Sequence, residues 1–332
     1  MGSRQISHHL LFVTSAVMLL AAVSWAASPQ QASPVQPENR AASAKKIFIS
    51  NLITVVPPIR TGAGQLRGPM VQPYDAVYAA MKNWGRYEVV LTPGEADLVL
   101  ETEYKTDCRT RQVVIHERSF LGEHDATIPQ SEVQTICVPH VTLRAFDAQN
   151  HSALWSSEIT IHESRLYGGT VDQSFRQTIL VLLNQFARFA GSKTTVAVPK
   201  EITSAPLPSQ LFTARKVFWT IDPPPGGMKA DEVYGEIIKT MKDWKHFQFV
   251  DQATDAELQF ELTPEARLLI RDTKTRALLW TIAQPVRSAL LQSNRKKNLK
   301  ASMHGIAGSL QGLVRSTGSN PGGRMVMAEA RQ

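Results

Sequence analysis

The stretch at residues 79–101, AAMKNWGRYEVVLTPGEADLVLE, is written again at residues 239–261, KTMKDWKHFQFVDQATDAELQFE, ungapped and at a constant offset of 160 positions. Met81, Lys82 and Trp84 return as Met241, Lys242 and Trp244. Tyr87 returns as Phe247, Val90 as Val250, and Glu95-Ala96-Asp97-Leu98 as Asp255-Ala256-Glu257-Leu258. A repeat of this kind points to one structural unit used twice.

Outward from this block the order of elements repeats too. A strand at 45–50, KKIFIS, matches 215–220, RKVFWT. Residues 51–70, rich in Gly and Pro, read as a loop. Pro73 suits a first helical turn; Val77, Met81 and Trp84 follow at i, i+4 and i+7, and Gly85 ends the helix. Val233, Ile237, Met241 and Trp244 form the matching face, with Tyr234 in the place of Tyr74. Residues 87–91 read as a strand. Ala96, Leu98 and Leu100 alternate with more polar neighbours, the period of a strand with one buried face. Hairpins follow at 141–161 and 268–282. Phe175, Ile179, Leu182, Phe186 and Phe189 mark one closing helix, and Leu299, Met303, Ile306, Leu310 and Leu313 the other.

The expected fold class is α+β: two tandem repeats, each a mainly antiparallel sheet with two helices packed on it. The repeats span 45–190 and 214–315, joined by a Pro-containing linker at 191–213 and followed by a disordered tail at 316–332. Met81, Trp84, Trp155, Met241, Trp244 and Trp280 are the expected repeat core. Asp97 and Glu101 are expected on a solvent face, and Asp147 and Asp272 at the openings of hairpin turns.

Residues 1–26 read as a signal peptide: Arg4, an apolar core at 10–23, then Ser24-Trp25-Ala26 as a cleavage site. The apolar run is short for a bilayer crossing, and no later stretch offers one. No cysteine follows that could take a lipid anchor. Residues 27–44, rich in Pro, Gln, Ser and Ala, read as a flexible leader. The expected location is periplasmic or secreted. The net charge of +7 is spread along the chain, which suits a solvated basic surface; nucleic acid is not an expected partner.

The first repeat carries an insertion at 102–138 that the second lacks, and the protein's two cysteines, Cys108 and Cys137, bracket it. In an oxidising compartment two cysteines most simply form one disulfide. Residues 112–117 and 133–137 are expected to pair as an arm, with His116, Arg118, Phe120 and His124 as candidate binding residues. Loops grafted on a repeated scaffold often carry recognition.

Catalytic signatures are missing from the sequence: there is no GxSxG, HExxH, phosphate-binding loop or dinucleotide fingerprint. His116, His124, His140, His151 and His162 cluster in or near the insertion and its hairpin, but without the spacing of a zinc site. Neither a cofactor nor a metal is expected, and the chain reads as a non-enzyme.

Trp84-x-x-Tyr87-x-x-Val90 leading to Glu95-Ala96-Asp97-Leu98, its second version from Trp244 to Leu258, and the hairpins FDAQNHSALW at 146–155 and RDTKTRALLW at 271–280 resemble bacterial envelope domains. These are the domains of the curli-secretion-channel lipoproteins, the penicillin-binding-protein activator lipoproteins and the amino-terminal domain of the TolB translocation protein. The resemblance covers 45–190 and 215–315. It implies a non-catalytic envelope domain that contacts other proteins or assembles with itself. The sequence reading is therefore an exported protein-binding or assembly module. Its alternatives are a small-ligand sensor with a cleft between the repeats and a metal-dependent hydrolase using the histidine-rich insertion.

Overall fold

A computed structural model describes residues 37–53, 59–61, 64–66, 73–118, 127–161, 171–221, 229–242, 244–263, 266–284 and 292–318. All of them lie in the compact unit Gln36–Gln332. The expected signal peptide, most of the expected leader, and residues 319–332 of the expected tail lie outside the described residues; residues 316–318, expected to be disordered, instead belong to the last helix.

The chain is mixed α/β. A short helix α1 (Pro37–Ser43) leads into β1 (Lys46–Ile53). β2 (Ile59–Thr61) and β3 (Gly64–Leu66) form a small hairpin of their own where the sequence suggested loop. Helix α2 (Pro73–Trp84) follows, then β4 (Glu88–Val90), a 3-10 turn (Pro93–Glu95), β5 (Leu98–Arg118), β6 (Thr127–Asp147), β7 (Ala153–Thr160) and helix α3 (Val171–Phe189). The second half gives α4 (Gln210–Thr213), β8 (Lys216–Ile221), α5 (Ala230–Lys242), β9 (Gln248–Phe249) and a 3-10 turn (Ala253–Asp255). It ends with β10 (Leu258–Leu262), β11 (Arg267–Asp272), β12 (Leu278–Ala283) and α6 (Gln292–Gly318).

Local chemistry explains these elements. Pro73 opens α2, which buries Tyr74, Val77 and Met81. Gly85, at φ 69°, closes it with an amide donated to Met81, a conformation glycine adopts without a Cβ penalty. Residues 37–43 were expected to be flexible, yet they form α1. Pro37 sits in its first turn, Ala41 is fully buried, and the Tyr87 hydroxyl donates to the Ala41 carbonyl at 2.8 Å. The linker is also strapped down. Asn184 on α3 exchanges hydrogen bonds with Val196, Asp75 accepts the Ala205 amide, and Tyr74 donates to the Pro206 carbonyl.

Where one sheet per repeat was expected, ten strands form a single sheet in the order β7-β6-β5-β1-β12-β11-β10-β8-β9, with β4 beside the start of β1 on the edge opposite β5, the edge that β12 meets farther along. The sheet is mixed rather than mainly antiparallel. β5-β6-β7 and β10-β11-β12 are antiparallel meanders, whereas β1 pairs parallel with β4, β5 and β12, and β8 parallel with β9 and β10. The helix between β1 and β4, and the one between β8 and β9, makes this possible: a parallel neighbour needs a crossover rather than a tight turn.

The same hydrogen bonds occur in both halves. Asp97 accepts the backbone amides of Lys45 and Lys46 at 2.8 and 2.9 Å, and Glu257 accepts those of Arg215 and Lys216 at 2.6 and 3.0 Å. Glu88 donates to Lys45 as Gln248 does to Arg215, and Ala44 to Arg40 as Ala214 does to Gln210. Each carboxylate thus seizes the two amides at the start of the strand beside it. Those bonds, from Lys45 and Lys46 for Asp97 and from Arg215 and Lys216 for Glu257, hold both carboxyls below their usual range.

Asp97→Ala and Glu257→Ala are each expected to cost about 1 kcal/mol at pH 7, the charged-hydrogen-bond value discounted for exposure. A carboxylate with a lowered folded pKa stabilises above its unfolded value and loses that contribution as pH falls through the folded one. Urea unfolding of each variant against wild type should therefore show a deficit at pH 7 that shrinks steadily below pH ~4.

Candidate functional site

The insertion is an extension of two strands. β5 pairs with β1 only from Leu98 to Tyr104, and β6 with β7 only from Phe146 to His140. Beyond that, residues 107–118 and 127–138 pair with each other alone among the described residues, Asp107 opposite Val138 through Arg118 opposite Thr127. At about 3.3 Å per residue the two-stranded ribbon runs on for about 40 Å. Residues 112–117 pair with 128–133, not with 133–137 as expected.

His116 stands opposite Pro129 and Arg118 opposite Thr127, at the far end of the ribbon. Phe120 and His124 lie outside the described residues, as does His162. Cys108 stands directly opposite Cys137, near the base. The Ile161 amide donates to the Pro139 carbonyl at 2.8 Å, so Pro139 turns its backbone groups away from β5. Cys137, two residues earlier, has the same orientation. The cysteine positions therefore form a non-hydrogen-bonded pair, the class with the closer Cα atoms.

A polar cluster that the sequence reading missed sits where the ribbon leaves the sheet. Lys105 pairs with Glu158 at 2.8 Å, Thr142 donates to Glu158 at 2.9 Å, and His140 lies 3.5 Å from both Asp107 and Glu158. The bond from Lys105, then that from Thr142, holds the Glu158 carboxyl below its usual range. The only advance signal was the alternation placing these residues on neighbouring strands. Among the described residues, no three His, Cys, Asp or Glu side chains gather as a metal ion would require, and no helix is long and apolar enough to cross a membrane.

The second feature is the joint between the halves. Asn51 on β1 is in register with Trp280 on β12, at the place where a ligand cleft was one reading. The Trp280 ring meets Tyr74 of α2 edge-on, centroids 5.1 Å apart. Met81 and Met241 are buried, while Trp84, Trp155 and Trp244 are partly buried against the apolar clusters. Trp84 also donates to Thr194 at 3.1 Å.

Glu101 is a correction: expected on a solvent face, it is only 7% exposed. Burial pushes its carboxyl above the usual range, against the lowering effect of Arg271 and Arg144. Glu103 and Glu261 take those arginines instead, at 2.6 and 3.2 Å.

No protein-family model matches the chain, and no curated protein matches it. Among solved structures, a neuraminyllactose-binding hemagglutinin homolog from Helicobacter pylori is 14% identical over 45% of this chain and 79% of that one, with a TM-score of 0.18. A prolyl-tRNA synthetase from Cryptosporidium parvum, complexed with L-proline and AMP, is 9% identical over 67% of this chain and 59% of its own, with a TM-score of 0.15. Both TM-scores are too low to show a shared fold.

Glu101→Gln is expected to raise the melting temperature at pH 7. A carboxyl whose folded pKa is raised destabilises the fold above that pKa, and the penalty disappears below its unfolded value. Thermal melts of variant and wild type should converge as pH falls below ~4; a variant less stable at pH 7 would contradict the account.

Proposed function

We propose that this chain is an exported, non-catalytic module that works by protein–protein contact, with the β5–β6 ribbon as its contact element. One observation carries the reading: two strands run past their neighbours and, among the described residues, pair only with each other. Such a ribbon buries little of its own surface, and its two edges offer backbone groups for strand addition. Pro129 and Pro139 lack an amide to offer on the β6 edge, which favours the β5 edge.

Two further readings belong with it. The chain is a tandem pair of one unit, supported by the matched hydrogen bonds at the two strand starts. Its unit begins earlier than the sequence suggested, since α1 precedes β1 as α4 precedes β8. Cys108 and Cys137 form a cross-strand disulfide that pins the ribbon's base. Their register supports this, because a Cα separation of about 4.5 Å lies within disulfide range. Export supplies the oxidising compartment, in line with the signal-like start and the resemblance to envelope domains.

A photo-reactive residue introduced at Gln112, an exposed ribbon position, should cross-link to another protein in the exporting host, whereas one at Val181, exposed on α3, should not. Replacing residues 110–135 by a two-residue turn should remove the cross-linked species and leave the melting of the sheet unchanged. Absence of any adduct at Gln112 would overturn the reading. Intact mass of the wild type should fall by two hydrogens relative to the reduced chain.

A further inference from the structure

The joint inside the chain is a contact between the trailing strand of one unit and the leading strand and helix of another. β12 lies parallel to β1, Asn51 is in register with Trp280, and Tyr74 packs edge-on against Trp280. If the chain is one unit used twice, each part of this joint has a counterpart at an end of the sheet. The inference rests on that reading and deepens the proposed assembly role.

At one end stands β7, the counterpart of β12 and the last strand in the sheet order. At the other stands β8, the counterpart of β1, whose outer edge is paired by β9 only at Lys216 and Val217. Among the described residues no strand lies beyond β7, and none pairs with the outer edge of β8 past Val217.

Exposure follows the same division. Tyr74 is 2% exposed at the internal joint; its counterpart Tyr234 is 38% exposed. Leu278 and Thr281 on β12 are buried, whereas Ala153 and Ser156, their counterparts on β7, are exposed. At the edge of β8, Ile221 stands where the internal joint has Asn51, so the β8 edge is the more apolar at this position. Glu158 on β7 has its charge engaged by Lys105, so it does not guard the edge as an unpaired charge would.

We infer that a second copy of this chain docks head to tail. Its β7 adds parallel to the open half of β8, with Trp155 meeting Tyr234 as Trp280 meets Tyr74 inside the chain. The contact is heterologous, so it propagates into a ring or a filament rather than stopping at a symmetric dimer. The β7 edge offers Ser156 and Ser157 where β12 has Thr281 and Ile282. That more polar edge makes the association a weaker, reversible version of the internal joint.

Sedimentation velocity of the mature chain over rising concentration tests this directly. The average mass should climb with concentration. Ser156 is of opposite parity to Ile161, whose amide bonds β6, so it turns its own amide outward; Ser156→Pro blocks β7 without breaking its pairing. Tyr234→Arg blocks the other end, and Tyr234→Ala repeats that test more gently. Each substitution should weaken association at least about tenfold, a loss of 1.4 kcal/mol or more. Mixed in equal amounts, Ser156→Pro and Tyr234→Arg chains should form heterodimers and stop there, each keeping one working end.

A wild type that stays monomeric at every concentration overturns the proposal. So does one that assembles only once residues 319–332 are deleted, which would make the chain's own tail the occupant. A mixture that stays monomeric while the wild type assembles also overturns it. Assembly lost only when the ribbon is shortened overturns this proposal but leaves the ribbon's contact role standing. Assembly that survives shortening and fails with Tyr234→Arg supports it.

Discussion

The pairing of β12 on β1 is the contact on which the rest of the architecture depends. It joins strands from opposite ends of the chain and turns two half-sheets into one. Asn51 and Trp280 set the register, and the Tyr74 ring on Trp280 ties the helix layer of the first half to the sheet of the second. The apolar packing crosses the same boundary. Phe48, Val90 and Val99 of the first half belong to one buried cluster with Val217, Met241, Leu258 and Leu310 of the second. Removing either half would expose surface that neither can cover alone.

Within each half, a carboxylate at the start of the β5 or β10 strand holds the first two amides of the strand beside it. The clamp gives a structural reason for acidic residues to recur at positions 97 and 257. Two amides that would otherwise need water are bound to one charged acceptor, and the strand start is fixed in register. The ribbon has no such support beyond Tyr104 and His140. Among the described residues its outer part is paired by its own ladder alone.

Much of this was legible in the residues. The period of Val77, Met81 and Trp84, the stop at Gly85, the alternation through Leu98 and Leu100, and the doubled Asp-to-Trp hairpins all correspond to elements of the fold. What local patterns could not reveal was long-range pairing. No periodicity in 46–53 or 278–283 says that these segments meet, so the single sheet and its parallel character were missed. α1 was missed because PENRAAS has no apolar stripe and only Ala41 to bury. The signal was nonetheless present: Ala44-Lys45-Lys46-x-Phe48 repeats as Ala214-Arg215-Lys216-x-Phe218, which carries the likeness upstream of the strand. Glu101 was misplaced because the alternation of its own strand says nothing of groups on other strands, such as Arg144 and Arg271, that act on it. In the ribbon, alternation fixed the strands but not their register.

The two halves are one cooperative body built across the β1–β12 joint, and scanning calorimetry of the chain tests this. The account predicts a single unfolding transition whose calorimetric and van't Hoff enthalpies agree, and a Trp280→Ala chain that still melts in one step at lower temperature. Two resolved transitions in the wild type, with only one of them moved by Trp280→Ala, would contradict it.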